Sequence, residues 1–209
     1  MGRATGFLLA GVLGLAPLAA FAADRFPQLT QDQMSPEQRK VAEAIVSGPR
    51  ASLGGPFNAW LRSPETADRL QRVGEQLRFH SSVPPRLNEF AILITARAWD
   101  ADYEWSAHYP LAMKAGLSPA IAADLAHGRR PRGMAPDEAA IYDFTAELRR
   151  THKVSDRTYE AAHKVLGDQG IVDLTALAGY YDLVSMTLNV AQVKAPANGR
   201  SLPPAKAKP

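Results

Sequence analysis

The chain has 209 residues and a formal charge of +3, from 24 basic and 21 acidic side chains, and it contains no cysteine. Lack of thiols excludes cysteine nucleophiles, CxxC redox couples and thiolate metal sites. The densest basic cluster, Arg129-Arg130-Pro-Arg132, falls in a loop-like stretch without interleaved aromatics, so no nucleic acid is expected as a partner.

Along the chain, the first signal is Arg3 followed by an apolar, small-residue run from Phe7 to Ala20 and the closing Ala20-Phe-Ala22. This is the layout of a secretory signal peptide cleaved near Ala22. Pro17 and the glycines at 11 and 14 make the run too short and broken for the ~20 apolar residues that a membrane span needs. The expected mature protein is therefore periplasmic or secreted, with no membrane association after cleavage.

Helix starts then recur as a small capping residue followed by proline. Ser35-Pro36 opens one helix, with Gln38 placed to complete a capping box. Ser63-Pro64-Glu65 opens the next, with Leu70, Val73 and Leu77 on one stripe, and Pro84-Pro85 a third, carrying Leu87, Phe90, Ala91, Ile94 and Ala98 at helical spacing. A fourth runs from about Tyr103 to Ala115 and stops at Gly116, and a short fifth runs from Ser118-Pro119 to Gly128. Pro136-Asp-Glu138 begins another, with Ile141, Phe144, Thr145 and Leu148 inward and Arg149 and Arg150 suiting the dipole at its end. Ser155 caps a helix ending near Gly167. The last, from about Gly170 to Gln192, is apolar almost all round, which predicts burial on most sides or a subunit contact. No alternating strand pattern occurs. The expected fold class is all-α, a single-domain bundle of ~7 to 8 helices. The tail from Lys194, rich in Pro, Ala and Lys, has too little apolar content to pack and reads as disordered.

Two carboxylates and an imidazole stand out as groups that can move protons. Glu104 and His108 lie four apart, so a helix projects them from one face, with Trp105 and Tyr109 as apolar walls. An exposed ion pair is the bland alternative. Glu89 sits beside Phe90-Ala-Ile-Leu-Ile-Thr, where a carboxylate is costly to bury without a partner, either in a polar cluster or in an ion pair with Arg86 or Arg97. A metal is not expected, because Glu-x-x-x-His differs from the Glu-x-x-His of di-iron bundles and occurs once. His80, His127, His152 and His163 read as capping or surface residues. The Gly179-Tyr-Tyr181 step either lines a pocket with phenols or packs in the core.

Gly55-Pro-Phe-Asn-Ala-Trp-Leu-Arg-Ser-Pro-Glu65, Pro85-Arg-Leu-Asn-Glu89, Ala96-Arg97, Tyr103-Glu-Trp-Ser-Ala-His108 and Gly179-Tyr-Tyr-Asp-Leu-Val184, in this order, closely resemble the carboxymuconolactone decarboxylase family of the AhpD-like superfamily. The resemblance implies an AhpD-like helical bundle, assembled as a homo-oligomer (trimer or hexamer), with its active site between helices near a subunit boundary. Together with the leader and the tail read from composition, this divides the chain into a signal peptide (1–22), an N-terminal extension with one helix (23–56), the helical domain (57–193) and a tail (194–209). In the thiol peroxidase branch a glutamate and a histidine flank a CxxC motif. Glu89 and His108 match that pair, while Ala101 and Glu104 stand where the cysteines would be, so disulfide-based peroxide reduction is excluded. The decarboxylase branch implies a cofactor-independent acid/base site: His108 transferring the proton, Glu104 and Glu89 orienting and tuning it, Arg86 or Arg97 holding an anionic substrate, and Trp105 and Tyr180 contacting it. The export signal and the added N-terminal region argue for a small organic acid or lactone other than the catabolic substrate of the cytoplasmic enzyme. A non-catalytic protein that binds a small ligand or assembles on the same fold is the competing reading.

Overall fold

The computed structural model describes residue 1 and residues 25–204, so nearly all of the leader lies outside the described residues. A 3-10 turn, Gln31–Gln33, precedes α1 (Pro36–Ser47), α2 (Phe57–Trp60), α3 (Pro64–Phe79), α4 (Pro85–Ala98), α5 (Asp102–Lys114), α6 (Pro119–Ala126), α7 (Pro136–Thr151) and α8 (Asp156–Ala191). Among the described residues there is no strand.

The starts follow from local chemistry. At α1 the capping box closes: the Gln38 N–H donates to Ser35 Oγ at 3.2 Å and the Ser35 N–H to Gln38 Oε1 at 2.8 Å. Proline occupies the first turn of α1, α3, α4, α6 and α7, where its missing N–H costs nothing. α8 is two helices end to end. Gly167, at φ 66 and ψ −177, breaks its helical backbone at a left-handed angle that glycine adopts without a Cβ penalty.

α4 is the structural centre. It packs against α5, α6, α7 and α8, and its two sides feed different cores. Leu87, Ala91 and Ile92 join a core built from α1, α2, α3, α7 and α8, whereas Phe90, Leu93, Ile94 and Ala96 join a second with Trp105 of α5 and Ile121 and Leu125 of α6. Near-total enclosure thus belongs to α4. The last part of α8, expected to be buried on most sides or to form a subunit contact, leaves Val172 and Val190 exposed on the single chain.

Residues 194–204 depart from the disorder expected of them. Leu202 N–H donates to Asp102 Oδ1 at 2.6 Å, Ser106 Oγ to the Arg200 carbonyl at 3.1 Å, and Arg97 Nη1 to the Pro203 carbonyl at 2.9 Å. Arg200 lies over the Tyr109 ring, 4.5 Å from its centroid. Composition counts apolar side chains, and this segment packs one of them, Leu202, against the second core while hydrogen bonds to side chains of α4 and α5 and one cation–π contact hold the rest.

Candidate active site around His108

α4 and α5 lie side by side, and that packing sets the site. Glu89 comes from α4; Glu104 and His108 come from successive turns of α5, four residues apart and therefore on one face. His108 Nδ1 lies 2.7 Å from Glu89 Oε2 and Nε2 lies 3.0 Å from Glu104 Oε1. Tyr181 of α8 completes the cluster, its hydroxyl 3.4 Å from Nε2 and its ring edge-on to the imidazole at 5.2 Å. His108 and Glu104 are 3% and 4% exposed, so these contacts act in a medium that screens them poorly.

A carboxylate at each ring nitrogen decides the charge of the imidazole, because both nitrogens can then donate only as imidazolium. Burial opposes that charge, but Glu89 and then Glu104 more than offset it and push His108 up to about 9. The site therefore holds a protonated histidine at neutral pH. Burial also pushes Tyr180 up to about 12 and Tyr181 well above the ordinary phenol value, so both stay neutral.

A cavity of about 160 Å³ opens beside the cluster. Glu104, His108, Tyr180 and Tyr181 form one wall, and Arg50, Phe57 and Arg78 face them from the loop before α2, from α2 itself and from α3. Among the described residues no group of three or more His, Asp or Glu side chains is disposed to hold a metal ion.

Of the residues singled out by sequence, the structure brings Glu89, Glu104 and His108 together and puts Tyr180 on the cavity wall. Arg86, Arg97 and Trp105 are placed elsewhere. Arg86 is bound to Asp137, at 2.6 Å, and to Glu138, tying the start of α4 to the start of α7. Arg97 pairs with Asp100 at 3.2 Å and holds the tail. Trp105 is 1% exposed in the second core. The arginines that do line the cavity, Arg50 and Arg78, carried no signal in a motif. The available clue was Arg50 itself, a cation just before the Gly54-Gly55-Pro56 turn with no acidic neighbour in sequence.

The molecule is thus an all-helical bundle with a buried carboxylate–imidazole–carboxylate cluster beside a small cavity. Residues 64–147, which contain Glu89, Glu104 and His108, match the model of the carboxymuconolactone decarboxylase family. No curated protein matches the chain in sequence. Among solved structures, the chain is similar in fold to an uncharacterized peroxidase-related protein from Silicibacter sp. TM1040. That similarity has a TM-score of 0.66 at 15% identity and covers 83% of this chain and 91% of the other.

Proposed function

We propose that this protein is a cofactor-independent acid/base enzyme of the carboxymuconolactone decarboxylase type, acting on a small organic acid or lactone by decarboxylation or isomerisation. The observation that carries the reading is His108 buried between two carboxylates at the edge of a cavity. A buried ionic cluster of this kind is seldom more stable than apolar packing of the same volume, and strongly perturbed titratable groups beside a cavity are characteristic of functional sites.

In the proposed chemistry Glu104 is the group nearest the substrate, and His108 stands behind it as proton reserve. For an isomerisation, Glu104 removes a proton from a carbon next to a carbonyl, the electron pair of that C–H bond moves onto the carbonyl oxygen as a dienolate, and the proton returns at another carbon. For a decarboxylation the C–C bond pair takes the same path as carbon dioxide leaves, and the proton comes from the His108–Glu104 pair. Glu89 holds Nδ1 and keeps the imidazole charged and oriented. This assigns the transfer to the pair, whereas sequence alone pointed to His108, because both ring nitrogens are already engaged.

The test is exchange of substrate C–H for deuterium, followed by NMR over a panel of muconolactones and related acids, alongside product analysis. Glu104→Gln and His108→Gln are expected to slow exchange and turnover by roughly 10²- to 10⁴-fold, the usual worth of a general acid–base group. Unchanged rates in either variant would remove the assignment, and ligands that bind without any exchange would favour the non-catalytic alternative. Export and assembly into trimers or hexamers belong to the same proposal, tested by N-terminal sequencing of the secreted chain and by sedimentation.

A further inference from the structure

Apart from the proton-transfer cluster, the cavity carries buried donors that the protein leaves unpaired. Nε and Nη2 of Arg50 and the hydroxyl of Tyr180 are screened from water and have no hydrogen-bond partner. An unmade bond at a buried donor is costly, and a guanidinium cannot shed its charge to escape that cost.

These groups converge. A Cβ built on Gly74 of α3 would lie 2.1 Å from Tyr180 Oη and 2.5 Å from Arg50 Nη2, so glycine leaves the space that both occupy. The Arg50 guanidinium is held over the Phe57 ring, 4.9 Å from its centroid, and by the Phe79 ring at 5.7 Å. Arg78 supplies a second cation in the lining of the same cavity. With His108 protonated, the cavity lining carries three positive side chains, Arg50, Arg78 and His108, and one carboxylate, Glu104, while Glu89 lies at the other nitrogen of the imidazole.

We propose that Arg50 and Tyr180, assisted by Arg78, form the subsite for a carboxylate carried by a planar, single-ring substrate, and that this carboxylate is kept through the reaction. The inference rests on the proton-transfer reading for the other end of the cavity. Arginine and a phenol donate together to a carboxylate, and the charge-assisted bonds that result are the strong ones. A cavity of about 160 Å³ is close to the ~150 Å³ that accommodates benzene, and phenylalanine and tyrosine rings supply flat walls. An arginine paired with a departing carboxylate would favour the charged ground state over neutral carbon dioxide and so raise the barrier. The carboxylate held by Arg50 is therefore a handle, and the reacting carbon points toward Glu104. Arg50 precedes residue 64, where the matched family segment begins, so the N-terminal segment supplies the residue that selects the substrate.

Calorimetric titration of the purified protein with benzoate and with its neutral counterpart benzamide tests this. Benzoate is expected to bind about tenfold or more tightly than benzamide, and Arg50→Gln and Tyr180→Phe each to remove that preference, by about tenfold in benzoate affinity. Arg97→Gln should leave it intact. Tyr180→Phe keeps the ring, which guards against a variant that fails only by misfolding. Equal affinity for the two probes, no binding of benzoate, or benzoate affinity unchanged in a folded Arg50→Gln protein would overturn the subsite. Binding of the probe requires no chemistry, so turnover that survives Glu104→Gln would sink the proton-transfer reading alone.

Discussion

Replacing both carboxylates around His108 with amides, Glu89→Gln with Glu104→Gln, keeps the shape of the cluster and removes its charge. In the wild type, folding raises the His108 pKa from the ordinary histidine value of 6.5 to about 9. The folded state therefore binds a proton that the unfolded chain has lost between those values. Stability from this group is fully present below pH 6.5 and disappears as pH rises through about 9, at a slope of about 1.4 kcal/mol per pH unit. The total is about 3 kcal/mol, with no discount for solvent because the group is fully buried. In a chain of this size that corresponds to roughly 10 °C in Tm. In the double amide variant nothing holds a charge on the imidazole, and the curve should be flat over the same window apart from groups common to both proteins. Urea unfolding at pH 6.5, 7.5, 8.5 and 9.5 measures the difference directly. Parallel curves for the two proteins, or a wild type whose stability rises across this range, would refute the charged-imidazole account.

Gly74→Ala opposes two effects: alanine favours a helix interior by ~1 kcal/mol, while its methyl would meet Tyr180 and Arg50 at contact distances no real Cβ shows. Overpacking is expected to win by about 1–3 kcal/mol in chemical denaturation and to close the cavity to ligands, and a net stabilisation would show that the wall yields freely. Arg86→Ala should cost about 3–5 kcal/mol, because it strands the buried Glu138 carboxylate, and should leave benzoate affinity of the folded protein unchanged. A loss of affinity there would return Arg86 to the substrate.

The helices were legible because their starts are local: a Ser-Pro pair with Gln three residues on needs no knowledge of the rest of the fold. Ser63 marks the limit of that logic. It opens α3, yet its hydroxyl donates to Thr66 Oγ1 at 2.9 Å rather than capping the backbone. The cluster was half legible. Spacing on one helix paired Glu104 with His108, and the cost of a carboxylate in an apolar helix said that Glu89 has a partner without saying which. Helical periodicity tells which residues share a face, not what another helix brings to it, so Arg86 and Arg97 were credited with a ligand when Asp137, Glu138 and Asp100 already hold them. Arg50 lies in an irregular stretch with no period to read, and its partners Phe57, Gly74 and Tyr180 are spread over 124 positions of chain that meet only in the folded molecule.

Since α4 is the wall shared by both cores, Glu89 rides on the element whose amides open last. Amide exchange in α4 is therefore expected to follow unfolding of the whole molecule, and slower exchange there than in α8 or the loop before α2 would bear this out. The proton-handling end of the site is then as durable as the fold, while the Arg50 end sits on a loop free to vary. A chain built this way can change what it accepts without disturbing how it moves a proton.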